Sequence, residues 1–262
     1  MQPDTGTATI ELLRTTALQK PRSRDRFFVG VAVTAAMSVF LGFARTYYLK
    51  SILPTPTFPL LFHIHGALFT GWMLLLVLQA SLVASGRTAL HRRVGWIGLS
   101  LAAPMLVTGS LVAIAAARGQ GPISAAVRRG ELTWVPVAIG PMEMLLNNLA
   151  TMLLFGVFVA AGVAMRRRPD AHKRLMVLAT IELLPAAIGR AAITILGVFH
   201  PALLVGTTAF FVVAMAIYDR RSGGRVHPVT LWAGLALVLS FPTRLVLAKT
   251  DLWQTFATWL IR

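Results

Sequence analysis

Apolar runs of roughly 20 residues, each closed by a short segment carrying Arg, Lys, Gly or Pro, recur along this chain. At 1.5 Å per residue, a helix of that length crosses the ~30 Å hydrocarbon core of a bilayer. The pattern predicts an all-α integral membrane bundle with seven spans, at about 27–47, 60–84, 93–116, 133–164, 173–198, 201–218 and 228–248. Pro136 and Pro141 make the start of the fourth window a loop or a kinked entry. The final stretch, DLWQTFATWLIR, is short, carries two tryptophans and reads as an interfacial helix. The expected organisation is a basic cytoplasmic segment (1–26), a transmembrane domain (27–248) and an interfacial C-terminal helix (249–262). No internal repeat, low-complexity tract or separate soluble domain is evident.

Composition sharpens this. Of 262 residues 56% are hydrophobic and only 13% charged, more apolar surface than a soluble domain of this length can hide. The formal charge of +16 raises nucleic acid as a partner, but the cations fall in short clusters between apolar runs and form no polar face. They report topology instead. With the N-terminus in the cytoplasm, the inner segments hold Arg14, Lys20, Arg22, Arg24, Arg26, then Arg87, Arg92, Arg93. Further along they hold Arg166, Arg167, Arg168, Lys173, Arg174, then Arg220, Arg221 and Arg225, together 16 of the 25 cations. The excess favours N-in, C-out. The first 25 residues lack the apolar core and small-residue site of a cleaved signal peptide, so the first span is expected to direct insertion into a bacterial inner membrane. The absence of cysteine removes disulfides, thiolate metal sites, iron–sulfur clusters and c-type haem attachment.

The six histidines sort by depth. His63, His65 and His200 fall near the outer surface; His91, His172 and His227 fall near the inner one. An interfacial imidazole is tolerated without a function, its polar tip reaching headgroups. His200 and His227, each directly before a proline in a turn, are the weaker candidates. His91 and His172 are stronger because of the residues that line the same helix face beneath each. Below His91 one helical stripe carries Gly95, Gly98, Ala102, Met105 and Gly109. Below His172 the stripe runs Met176, Ala179, Leu183, Ala186 and Arg190. Small residues beneath a histidine leave room for a flat group such as a porphyrin edge; close helix packing in lipid selects the same residues. Two neutral imidazoles suit haem iron, and Arg92, Arg93, Lys173 and Arg174 are adjacent to receive propionates. Zinc or copper held by His91, His172 and His227 is the alternative metal reading.

A histidine at the outer start of one span (His65), at the inner start of the next (His91) and at the inner start two spans later (His172) resembles the cytochrome b561 superfamily. The LHRRVG and AHKRLM segments also resemble an uncharacterised group of bacterial multi-pass membrane proteins. The resemblance covers about residues 60–195. It implies a four-helix core, b-type haem b held by histidines from alternate helices, and electron transfer across the membrane. One departure matters: helix 4 lacks the histidine expected opposite His65, and reads IGPMEMLLNNLATML. Met142 or Met144 would have to stand in there; otherwise a single inner haem remains, the favoured reading.

The outer half also holds charge inside spans: Arg45, Glu143 and Asn147 with Thr151, Arg190 and Arg244. Glu182, near mid-membrane, is the costliest, with Arg190 two turns away as its candidate partner. Buried ion pairs that fix packing explain such charges without a ligand. The functional reading is an outward pocket in which Arg45, Arg190 and Arg244 face a quinone-like or small anionic ligand, with Glu143 and Asn147 binding or passing protons. His63 joins that pocket if it does not bind iron; His63 and His65, two residues apart on a helix, cannot both face inward. Two rival functions remain at this level: a non-redox transporter or receptor for a small anion, and a membrane metal-dependent hydrolase. No Walker motif, G-x-G-x-x-G loop or Ser-His-Asp pattern supports a nucleotide enzyme or a soluble-type hydrolase.

Overall fold

The computed structural model describes residues 23–49, 52, 58–121, 140–196 and 201–262, and among these every regular element is helical. In chain order they are α1 (Ser23–Phe43) with an adjoining π-turn (Ala44–Tyr48), α2 (Leu60–Ala84), α3 (Thr88–Ala117) and α4 (Pro141–Ala164). The remainder are α5 (Pro169–Ile181), α6 (Leu184–Ala191) with a π-turn (Ala192–Leu196), α7 (Pro201–Gly223), α8 (Pro228–Leu247) and α9 (Asp251–Ile261). Seven of these units are long and apolar enough to cross a membrane, with α5, α6 and the second π-turn together making the fifth (Pro169–Ile195). The expected count holds. Four spans open on proline, whose missing N–H costs nothing in the first helical turn.

Boundaries moved where turn chemistry, and not hydropathy, decides them. The third span begins at Thr88, five residues before the apolar window, because the basic LHRR segment is already helical. The fourth begins at Pro141, not 133; residues 133–139, Pro136 included, lie outside the described part, as do residues 1–22 and His200. The fifth span, expected to be continuous, breaks at Glu182–Leu183. Pro185 is responsible: it donates no hydrogen bond and its ring crowds the carbonyl of Ile181.

The fifth span is the axis of the bundle. Its apolar window is 61% buried, against 22–33% for the other six, so it alone is surrounded by protein. α5 packs on α1, α4, α7 and α8, while α6 packs on α1 and α7; α2 and α3 close the ring between α1 and α4. Phe155, Leu178, Ile181, Leu184, Met215 and Leu237 fill the centre. Trp72 Nε1–H donates to Thr180 Oγ1 at 3.1 Å and its ring meets Phe155 edge-on at 5.0 Å, tying α2, α4 and α5 together. The outward faces are apolar instead of charged (Leu74, Trp96, Val107, Leu153, Phe210, Trp232), as a bilayer environment requires. α9 lies against α3 and α4, anchored by Trp253 Nε1–H to the Met142 carbonyl (3.0 Å) and Arg118 Nε to the Ile261 carbonyl (3.0 Å). Its Leu252 and Trp259 remain exposed, the amphipathic arrangement expected of it.

Candidate functional site

The short α2–α3, α4–α5 and α7–α8 turns bring the starts of α3, α5 and α8 to one end of the bundle, the end where α1 begins and most cations lie. There the His91 and His172 rings meet from two helices, centroids 6.2 Å apart and nearly perpendicular at 79°. His172 Nδ1 lies 2.8 Å from the Gly162 carbonyl. A carbonyl only accepts, so the proton is on Nδ1 and the Nε2 lone pair is free. The amide of Gln79, on α2, sits on His91 Nδ1 and on the backbone of His91 and Gly95. With its nitrogen towards Nδ1 the amide donates there and to the His91 carbonyl (3.2 Å) while its oxygen accepts from Gly95 N–H (2.9 Å), and this satisfied orientation leaves the His91 proton on Nε2. No hydrogen bond joins the two imidazoles. Both rings are half-buried.

The stripe below His91 does two jobs. Gly98 is filled by Leu75, 3.2 Å from where a Cβ would stand, and Gly109 is filled by the Met152 thioether. Those positions serve close helix packing. Gly95 alone is open, its nearest neighbour the Gln79 amide at 3.8 Å. On the His172 side, the break at Glu182 ends the simple stripe: Ala179 and Leu183 are buried, while Ala186 is exposed.

The neighbouring cations divide. Arg174 departs from the expectation that it receives a propionate. It is buried and bonded to the Asp219 carboxylate through Nη2 and Nε, with Nη1 on the Asp170 carbonyl at 2.6 Å, so it has nothing left to offer. Lys173 pairs with Asp170 at 2.7 Å and lies over the Phe28 ring. Arg92 and Arg93 are exposed. Asp219, which sequence reasoning passed over among its flanking arginines, also accepts from Thr230 Oγ1 (2.6 Å) and the His227 backbone N–H (3.1 Å). His227 is a helix cap: its Nδ1 accepts from Val229 N–H at 3.1 Å. Burial first, then the Arg174 charge, holds its pKa below the usual histidine value. Among the described residues no three His, Asp or Glu side chains gather as a metal site, so the trio of His91, His172 and His227 does not form.

At the opposite end the expected pocket resolves into separate pieces. Glu182 pairs with Arg244 of α8, not with Arg190, at 2.6 Å. Arg244 Nη2 also donates to Ser240 Oγ (3.0 Å), and Nη1 to Thr151 Oγ1 (3.0 Å) and Asn147 Oδ1 (3.3 Å). Arg244 and Asn147 are therefore committed to one buried network. Glu143 is not part of it; its carboxylate folds back against Gly140 at the start of α4. Arg45 is exposed and reaches the Thr194 carbonyl at 3.3 Å. His63 lies among Tyr47 and Phe58, ring centroids 5.8 and 5.9 Å away. His65 turns inward and packs on Phe69, ring centroids 4.1 Å apart and planes tilted by 34°, with Arg190 close enough for its charge to act on the ring. Met142 packs under α9 and Met144 faces outward, so neither is set opposite His65. No family model matches the chain, and neither the curated proteins nor the solved structures compared with it include a match.

Proposed function

We propose that the protein is a membrane-embedded b-type haem protein of the bacterial inner membrane, N-terminus in the cytoplasm, built on a b561-like core. It passes electrons between haem near the inner surface and a quinone-like or small acceptor at the outer one. His91 and His172 would hold a single haem. The observation that carries this reading is their separation. Two metal–imidazole bonds of about 2.0–2.1 Å, plus the distance from nitrogen to ring centre on each side, span about 6.3 Å. The rings stand 6.2 Å apart.

The donor chemistry agrees on the His172 side. His172 presents Nε2 because Gly162 fixes its tautomer, an arrangement ordinary for ligating histidines. Ligation by His91 Nε2 requires the Gln79 amide to turn its oxygen to Nδ1, giving up its bonds to the His91 carbonyl and Gly95 N–H. Arg92 and Arg93 remain as cations for propionates, and Gly95 supplies an open position beside His91. A haem held by two imidazoles would supply one-electron transfer. The chain's part is to hold both imidazoles neutral and facing, and to exclude water from the apolar side through Trp72 and Phe155.

A Soret band and a pyridine-haemochrome signature in purified protein, both lost in His91→Ala and His172→Ala, test the reading. Zinc or copper without iron would replace haem by another metal at the same pair. A second reading, a transporter or receptor for a small anion, draws on Arg190, whose guanidinium has no counter-ion among the described residues. Saturable binding of an organic anion by a colourless protein is its signature.

A further inference from the structure

Arg190 lies within the fifth span with no carboxylate partner among the described residues. Its guanidinium lies over the Phe43 ring at 5.1 Å, its Nε is buried without a partner, and no described carboxylate stands within ion-pair reach. An unpaired cation about five residues from the end of a span is expensive in lipid, where ionisable groups pair or face a cavity. Two more buried polar atoms at the same end of the bundle are also unpartnered: His65 Nδ1 and Thr46 Oγ1. Thr46 is informative because Thr70, Thr108, Thr180, Thr194 and Thr208 each return the hydroxyl to the carbonyl four residues earlier. Thr46, in the π-turn after α1, does not. Its neighbours span the site: Arg45 reaches Thr194, one turn beyond Arg190, and the Tyr47 ring lies on Gly66, next to His65.

We propose that Arg190, His65 and Thr46 form a binding site for an oxyanion head group, a carboxylate or phosphate, carried by an amphiphile whose apolar part lies along Phe43 and Phe69. All three polar groups can donate, and their sum is positive, so the missing partner is an acceptor bearing negative charge. Arg244 is no part of this site, since Glu182 already neutralises it. The site lies at the opposite end from His91 and His172 and stands whether or not those bind haem.

The test is thermal unfolding of the full chain in neutral detergent, with decanoate, inorganic phosphate or short-chain phosphatidylglycerol added. Decanol and phosphatidylcholine serve as controls. At a hundredfold excess over Kd the melting temperature is expected to rise by about 5 °C. Decanol should give no rise, and the response should be lost in Arg190→Gln and kept in Arg45→Gln. A response to phosphatidylglycerol alone identifies the source as a lipid headgroup; a response to decanoate or phosphate identifies a free ligand, and either supports the site. Because Arg190→Gln removes an unpaired charge, it should fold with an unliganded melting temperature no lower than wild type; His65→Gln provides a second variant. No anion-dependent rise in wild type, or an equal rise in both Arg190→Gln and His65→Gln, overturns the proposal.

Discussion

Replacing Glu182 by methionine strands the Arg244 charge at the break in the fifth span. Glu182 and Arg244 are both almost fully buried, 4% and 6% exposed, and their 2.6 Å contact is the only ionic one the guanidinium makes among the described residues. Asn147, Thr151 and Ser240 continue to accept hydrogen bonds from Arg244, but neutral acceptors do not balance a charge in lipid. Removing one partner of a buried pair costs about 3–5 kcal/mol, whereas replacing both by apolar groups is often neutral. The upper part of that range applies to Arg244→Met, which leaves Glu182 ionised or forces a proton onto it; the lower part applies to Glu182→Met, because three hydroxyl and amide partners remain. At roughly 2–4 °C per kcal/mol for a chain of this size, the single variants should melt roughly 6–20 °C below wild type. The Glu182→Met/Arg244→Met double variant should recover most of that loss. The assay is a double-mutant cycle by thermal unfolding in one detergent. Additive losses in the cycle, or a Glu182→Met loss under about 2 °C, would refute the pairing as the element that holds the broken helix to α8.

Asp219→Asn should be destabilising by about 3 kcal/mol, because it strips the buried charge partner from Arg174 and leaves only the exposed Asp170 carboxylate at 3.5 Å; a melting temperature equal to wild type would contradict this. Gln79→Leu removes the amide on His91 Nδ1 and should weaken haem retention roughly 10–100-fold without moving the Soret band, read by haem loss to an acceptor protein; retention equal to wild type would remove Gln79 from the site. His227 has a depressed pKa in the fold, so the unfolded chain takes up its proton first and stability is lost as pH falls below about 6.5. Its Nδ1 must also stay unprotonated to cap α8. His227→Asn keeps a capping acceptor and should flatten that pH dependence in melting scans between about pH 8 and 5; an unchanged slope would assign it elsewhere.

The seven helices were legible because lipid imposes the one strong rule, a long apolar run with its backbone bonded internally. The meeting of His91 and His172 was legible too, since histidines at the starts of the third and fifth spans lie at one end of the bundle and need only short turns to converge. Partnerships between spans were not. Helical periodicity offers Glu182 only neighbours on its own helix, which pointed to Arg190. The true partner, Arg244, is 62 residues away and was set by the Pro185 break and the packing of α8 on α4 and α5. Asp219 hid among arginines that make its segment read as a basic loop. Gln79, a lone amide in the run LLLVLQASL, carried a readable signal, because a polar group at that depth needs a partner. The glycine stripe below His91 misled in part: Gly98 and Gly109 admit Leu75 and Met152, so most of it is packing.

Absorption spectroscopy with iron quantification, on protein purified from haem-replete cells, bears most directly on the pairing of His91 and His172 around a metal. One haem iron per chain, with a low-spin bis-imidazole spectrum abolished by either alanine substitution, is the predicted result. A colourless, iron-free preparation, or colour that survives both substitutions, would contradict it.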